Sequence, residues 1–370
     1  MKKIALISPS KNAYSETFIQ EHKRGLEGNV SYFYHGDIPT MQENKGVLRA
    51  HFIERVGRSL NRVMPIFKFK FTQNASAFRR ALHKESVDLV FAEYGTTAHN
   101  VLHVVKDLNL PLVTHFHGFD ISVYNVLSKC DNYSEVFEYS SFIVAVSKEM
   151  VDDLVRLGCD RSKIVYTPCG PHSSFLGPSL SLDSQDFLSV GRFTDKKAPY
   201  YLILAFKKVL ESYPESKFII GGRGYLLNTC KNLVKALGIE RNVTFPGVIT
   251  REEFQEYISK SRAYVQHSVR ADNGDKEGTP VAIMEASLSG LPVISTFHAG
   301  IPDVILDGKS GLLIEEHDVD AMAEKMIKIL EDKELAIQLG KNGQNHIKDN
   351  FTLEHHLEVL NTVISRVCKA

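Results

Sequence analysis

Twelve short apolar runs, most of them separated by longer stretches with helical spacing, constrain this chain more than any other feature. Six fall in the first half, at 3–7, 30–34, 87–92, 112–115, 142–146 and 164–167. Six fall in the second, at 187–190, 217–220, 243–245, 263–265, 292–295 and 311–314. Each is rich in Val, Ile, Phe or Tyr and too short for a helix. Helices are predicted between them, among others at 17–26, 98–108, 148–157, 200–213, 281–289 and 321–331. Strands alternating with helices form parallel sheets covered on both faces. The Ser-rich stretch HSSFLGPSLSLDSQ, with Gly177 and Pro178, interrupts the alternation. It divides the chain into a first domain at 1–172, a linker at 173–185 and a second domain at 186–352. A final helix is expected at 353–370. Its apolar stripe is Leu353, Leu357, Leu360, Ile364 and Val367, with Thr352 as N-cap.

A length of 370 residues agrees with two domains, at roughly 150 residues each. Hydrophobic residues at 43% and charged residues at 24% exclude a disordered or collagen-like chain. No apolar run approaches the roughly 18 residues of a membrane span. The apolar run in MKKIALISPS is too short for a signal-peptide core and suits a first strand. The five cysteines are scattered and contain no C-x-x-C, which argues against a disulfide framework or zinc site. A cytoplasmic protein is expected.

The stretch DNGDKEGTPVAIMEASLSGLPVISTFHAGIPD, from Asp272 to Asp303, holds the densest chemistry. Glu277 and Glu285 are eight apart, a spacing that Glu85/Glu93 and Glu316/Glu324 share, so it carries nothing alone. The context separates them. Gly278, Thr279 and Pro280 read as the entry to a helix starting at Val281, with Thr279 as N-cap. The free N–H groups of such a helix end suit a diphosphate. A carboxylate before that end and one on a later turn can bracket an elongated ligand. The sugar would lie near Glu277 and a ribose near Glu285, whose oxygens accept from both hydroxyls. Arg192 and Lys197, in GRFTDKKAP, follow the strand at 187–190 and face the ligand crevice of a parallel sheet. As an isolated stretch, Arg192, Lys196 and Lys197 would read as a solvated loop. In THFHGFD, His115, His117, Gly118 and Asp120 fall just after Leu112–Thr114, and SPSKNAYSETF forms the first loop, where Ser15 could cap the first helix. Asp152-Asp153 reads as a solvated helical pair and not as a metal motif.

These segments, EGTPVAIMEASLSGLPVIST with HAGIPDVI, GRFTDKKAP, HGFD and SETF, resemble family 4 of the retaining nucleotide-sugar glycosyltransferases. The likeness is to members that build bacterial exopolysaccharide, capsule or lipopolysaccharide. It implies a GT-B fold, an α/β architecture of two facing Rossmann-like domains with an interdomain cleft, and a last helix that crosses back onto the first domain. It implies a hexosyltransferase that moves a sugar from a UDP- or GDP-sugar to a glycan or lipid-linked glycan, with no cofactor and no metal. Arg192 and Lys197 would hold the diphosphate, Glu277 the sugar hydroxyls and Glu285 the ribose. His117 would sit beside the transferred sugar. Gly118 and the run Gly278, Thr279, Pro280 and Val281 complete the donor site, and main-chain groups at Gly247 and Val248 would meet the base. The chain departs from the family pattern at Asn12-Ala13-Tyr14-Ser15, where a Gly-Gly pair is usual, and at Cys169, where an Asn is usual. Two other readings share the architecture: a sugar-nucleotide 2-epimerase, and a non-catalytic nucleotide-binding partner of another transferase.

The formal charge sums to zero, yet residues 45–84 hold ten Lys or Arg against the single acid Glu54. A helix drawn over 47–64 sets Arg55, Arg58 and Arg62 beside an apolar face. That pattern suits the anionic inner face of the cell membrane. Nucleic acid is the other anion such a stripe suits, but a sugar-nucleotide cleft gives no reason for it.

Overall fold

A computed structural model describes residues 1–11, 16–48, 73–177 and 180–369. The positions Asn12 to Ser15, and Arg55, Arg58 and Arg62, lie outside the described residues.

The first sheet contains β1 (Lys3–Ser8), β2 (Asn29–Tyr34), β3 (Met41–Gln42), β4 (Gly46–Val47), β5 (Leu89–Glu93), β6 (Leu112–His115), β7 (Phe142–Ala145) and β8 (Ile164–Tyr166). Their order is β4-β3-β2-β1-β5-β6-β7-β8, and only the pairs β2–β3 and β3–β4 are antiparallel. The second contains β9 (Phe187–Val190), β10 (Phe218–Gly221), β11 (Val243–Thr244), β12 (Ala263–Val265), β13 (Val293–Thr296) and β14 (Leu312–Ile314). Its order is β11-β10-β9-β12-β13-β14, parallel throughout. Strand order reverses beside β1 in one sheet and beside β9 in the other. In doubly wound sheets the ligand crevice opens at such a switch point, beyond the strands' carboxyl ends.

All twelve runs read from sequence form strands. They were legible because a strand covered on both faces is apolar along its buried run, as at Ile4, Ala5, Leu6 and Ile7 of β1. The hairpin strands β3 and β4 were missed, being two residues each at the sheet edge. Val47 lies in β4, so the helix drawn over 47–64 does not begin there.

Alternate residues of β1 enter different cores. Ala5 and Ile7 pack with Phe78, Val101 and Leu112, while Ile4 and Leu6 pack with Leu360, Val363, Ile364 and Val367. The last helix, Leu353–Val367, therefore covers one face of the first sheet, after the chain has completed the second. Thr352 caps it, its side chain accepting from the His355 N–H. Its buried stripe includes His356, absent from the apolar reading, whereas Leu357 is only half-buried. The stretch between the two sheets is anchored too: Phe175 and Leu182 are buried in the second core. Among the described residues no helix is long and apolar enough to cross a membrane, and the five cysteines are unpaired.

Candidate functional site

The carboxyl ends of the two sheets face each other across a cavity of about 280 Å³. Arg192, Lys197, Val248, Glu277, Gly278, Thr279, Pro280, Val281 and Glu285 line it from the second half, and His117 from the first. Gly118 and Gly247 are not in the wall. Gly247, at φ +84°, turns the chain before Val248 and accepts the Gly222 N–H at 2.6 Å.

Lys197 and Glu277 form the charged centre. The Lys197 Nζ lies 3.2 Å from the Glu277 Oε1, both side chains largely buried. Burial alone would raise the Glu277 pKa, but Lys197, with Lys196, His298 and Arg192, brings it down to about 2. The neighbouring lysine is not solvated, contrary to the isolated-loop reading. Lys196 is buried and donates to Asp275 at 2.9 Å and to the Lys276 carbonyl at 3.0 Å. Arg192 alone of the three is exposed. The Glu277 N–H donates to His298 Nε2 at 3.1 Å, so the His298 Nδ1–H donates to Glu316, at 2.6 Å. Sequence reasoning missed both partners, which lie 21 and 39 residues further on.

The helix Val281–Leu288 starts at the cavity, but its N-cap is Pro280, without a side-chain hydrogen bond. The Thr279 cap is thus corrected. Its hydroxyl donates instead to the Val146 carbonyl of the other half, at 2.5 Å. That leaves the helix end without a side-chain cap of its own. Glu285, one turn on, is half-buried, and desolvation raises its pKa to about 7 against the opposing pull of Arg251. Arg251 reaches across to Glu21 at 3.1 Å. The halves also meet at Gly118, whose φ is +112°. A Cβ there would stand 2.8 Å from the Gly278 N. Asp153 is likewise not solvated: it pairs across the interface with the buried Lys276.

On the first-domain side, His117 sits over a buried carboxylate. Asp120 accepts the His117 N–H at 3.0 Å and the Gly95 N–H at 2.7 Å, fixing the turn. The His117 Nε2 lies 2.7 Å from Glu93 Oε2. Glu93 ends β5 opposite His115, which ends β6. Phe18 stacks on the His117 ring at 4.4 Å, and Tyr94, beside it, donates to Glu16 at 3.0 Å. Behind Glu93 lie His22 and His356. Ligand atoms of His22, Glu93 and His115, and of His22, Cys169 and His356, lie within 4.8 Å of one another and could hold a metal. Hydrogen bonds within the protein already engage Glu93, His22 and His356. Neither Glu93, His22 nor His356 was singled out from sequence. Glu93 entered only as one of the uninformative pairs at Glu-x7-Glu spacing, though an acid closing the run LVFA was the available signal.

With this geometry in hand, known proteins give context. Residues 15–173 match the family model for glycosyltransferase family 4, and residues 178–346 that for glycosyl transferases group 1. The structure of Anabaena Alr3699/HepE in complex with UDP-glucose superposes with a TM-score of 0.79 at 15% identity, over 100% of both chains. The fold is GT-B: two Rossmann-like domains around a cleft. In sequence the chain is similar to glycosyltransferases of colanic acid and amylovoran biosynthesis. It is 31% identical over 249 residues to the amylovoran biosynthesis glycosyltransferase AmsK of Erwinia amylovora, covering 65% of this chain and 60% of AmsK. It is 25% identical to the UDP-Gal:alpha-D-GlcNAc-diphosphoundecaprenol alpha-1,3-galactosyltransferase of Escherichia coli, over 83% of this chain and 81% of that one. The chain spans less than two thirds of AmsK and of two further curated relatives.

Proposed function

We propose that this chain is a retaining, metal-independent hexosyltransferase. It moves a sugar from a UDP- or GDP-sugar to a glycan or lipid-linked glycan in bacterial surface polysaccharide synthesis. One observation carries the reading: Lys197, Glu277 and the uncapped start of Val281–Leu288 meet His117 across a single interdomain cavity. AmsK and the alpha-D-GlcNAc-diphosphoundecaprenol galactosyltransferase support the substrate class.

In this reading the second domain, 186–352, holds the donor. The first, 1–172 with the returning helix, holds the acceptor, and 173–185 joins them. The diphosphate lies between Arg192, Lys197 and the helix N–H groups. Charge grows on it as the sugar–phosphate bond lengthens, and these fixed positive groups stabilise that charge without reorganising. Glu277, kept ionised by Lys197, accepts from sugar hydroxyls, and Glu285 meets the ribose. Main chain at Gly247 and Val248 meets the base. The acceptor hydroxyl attacks the face the diphosphate leaves, and a phosphate oxygen takes its proton, so no side-chain base is assigned. The basic segment with Arg55, Arg58 and Arg62 brings this chemistry to the anionic cytoplasmic face of the membrane. Sedimentation with anionic vesicles, compared for wild type and the triple Glu variant, tests that part.

The test of the reaction is a thermal-shift panel of UDP, GDP and their sugars, followed by incubation of the stabilising sugar nucleotide with and without acceptor glycans. A ligand at 100 times its Kd adds about 2.7 kcal/mol of stability. Transfer with retention that persists in a strong chelator is expected. Conversion of the donor alone into its 2-epimer would overturn the proposal, and loss of activity restored by magnesium or manganese would overturn the metal-free part.

A further inference from the structure

Glu93 is fully buried, and each of its oxygens is committed. Oε1 lies 2.6 Å from His22 Nδ1. Oε2 lies 2.7 Å from His117 Nε2 and 3.2 Å from His115 Nδ1. Behind this sphere, His22 Nε2 lies 2.9 Å from His356 Nε2, and His356 Nδ1 lies 2.9 Å from the Thr167 hydroxyl. His22 comes from the first helix, His356 from the returning helix and Thr167 from the end of β8.

The proton positions nearest the cavity follow from this arrangement. Three ring nitrogens converge on the two oxygens of the Glu93 side chain, a geometry that suits a carboxylate accepting at every contact. An ionised carboxylate only accepts hydrogen bonds. Whichever way protons run between His22, His356 and Thr167, the Nε2 of His117 must therefore carry hydrogen. Its Nδ1 makes no hydrogen bond among the described residues, and the ring lines the cavity. Phe18 at 4.4 Å and His115 at 4.1 Å flank the ring, with Tyr94 at 4.7 Å.

We infer that Glu93 is a positioning residue: it holds His117 as the Nε2–H tautomer, with the Nδ1 lone pair presented to a sugar hydroxyl. The returning helix, through His356 and His22, locks the carboxylate in that orientation. The inference rests on the reading that places His117 beside the transferred sugar. An unlocked carboxylate would let the ring present an N–H donor instead, and a hydroxyl bound to Nδ1 would lose its acceptor. The chain's last helix is thus part of the reaction centre, although it contributes no atom to the cavity wall.

The experiment uses the full chain with 15N-labelled histidine and reads tautomers from long-range proton–nitrogen correlations, His117 being assigned by comparison with His117→Asn. The wild type is expected to show hydrogen on Nε2 of His117 and a bare Nδ1. Hydrogen on Nδ1 alone would overturn the inference, whatever any variant does. Glu93→Gln, whose amide can donate, is expected to abolish the single tautomer. It should lower kcat at least tenfold while UDP affinity stays within twofold. Turnover is measured on whichever of UDP-glucose, UDP-N-acetylglucosamine and GDP-mannose the wild type uses fastest. His356→Asn tests the same relay from the other helix, and should lower kcat by a smaller factor without changing UDP affinity. An inactive His117→Ala beside a fully active Glu93→Gln would overturn this inference alone. A fully active His117→Ala would instead sink the placement of His117 at the sugar. One equivalent of copurifying zinc, lost in His356→Asn, would also overturn the relay, because His22 and His356 would then meet a metal and not a proton.

Discussion

The Lys197 ammonium lies 3.2 Å from the Glu277 carboxylate, and the two arrive there from different loops of the second sheet. Breaking such a buried pair from one side leaves a charge without its counter-ion, at a cost of about 3–5 kcal/mol. Lys197→Ala is expected to lose about that much stability in urea denaturation, and adding Glu277→Gln should recover part of it. Lys197→Ala should also lower turnover at saturating donor more than it weakens donor binding, since the phosphate charge grows toward the transition state. Because the Glu277 pKa is lowered to about 2, its contribution is present above the ordinary carboxylate range and is lost as pH falls from about 4.5 toward 2. Glu277→Gln should flatten that part of the acid stability profile.

Glu285 runs the other way. Its pKa of about 7 means the half-buried carboxyl is protonated below neutrality. Its effect on folding is greatest below the ordinary carboxylate range and is lost as pH rises toward 7. If ribose hydroxyls donate to the carboxylate, binding must release that proton. UDP affinity is then expected to fall by up to tenfold per pH unit below 7, beyond any titration of UDP itself. Calorimetry in buffers of different ionisation enthalpy measures the released proton, and Glu285→Gln should remove it. Glu285→Ala should weaken binding by about 1.5–3 kcal/mol. Unchanged affinity would remove Glu285 from the ribose site.

Gly118 brings the first domain onto the loop at Gly278. Alanine there would be strained at φ +112° and would place a Cβ 2.8 Å from the Gly278 N. Gly118→Ala is expected to hold the cleft open, lowering turnover at least tenfold while UDP still stabilises the second domain. Small-angle scattering should report a larger radius of gyration, and an unchanged radius with normal turnover would show that the two loops can move apart without consequence.

The returning helix packs on the first sheet. Leu360 is fully buried against β1, so Leu360→Ala should cost about 2–5 kcal/mol in urea denaturation. Removing the cap with Thr352→Ala should cost roughly 1 kcal/mol. A Leu360→Ala loss well under 1 kcal/mol would mean the helix is not docked on that sheet in solution.

Local chemistry made much of this molecule readable from its residues alone. Parallel strands buried on both faces are apolar runs whatever surrounds them, and Gly and Pro at 278 and 280 mark a turn wherever it sits. The two-sheet pattern and the candidate donor stretch were therefore legible. The Thr279 hydroxyl shows the limit: sequence offered a cap three residues away, while the fold offered the Val146 carbonyl, 133 residues away. The same holds for Lys196 and Lys197, adjacent in a basic loop, of which one anchors Asp275 and the other meets Glu277. Of the cluster at Glu93, only His115 and His117 stood out in the sequence. Its members stand at positions 22, 93, 115, 117 and 356, and a lone histidine or glutamate carries no sign of what it will face. Only the crossing of the last helix onto the first sheet brings His356 to His22, because buried polar groups take the partners that tertiary packing leaves within reach.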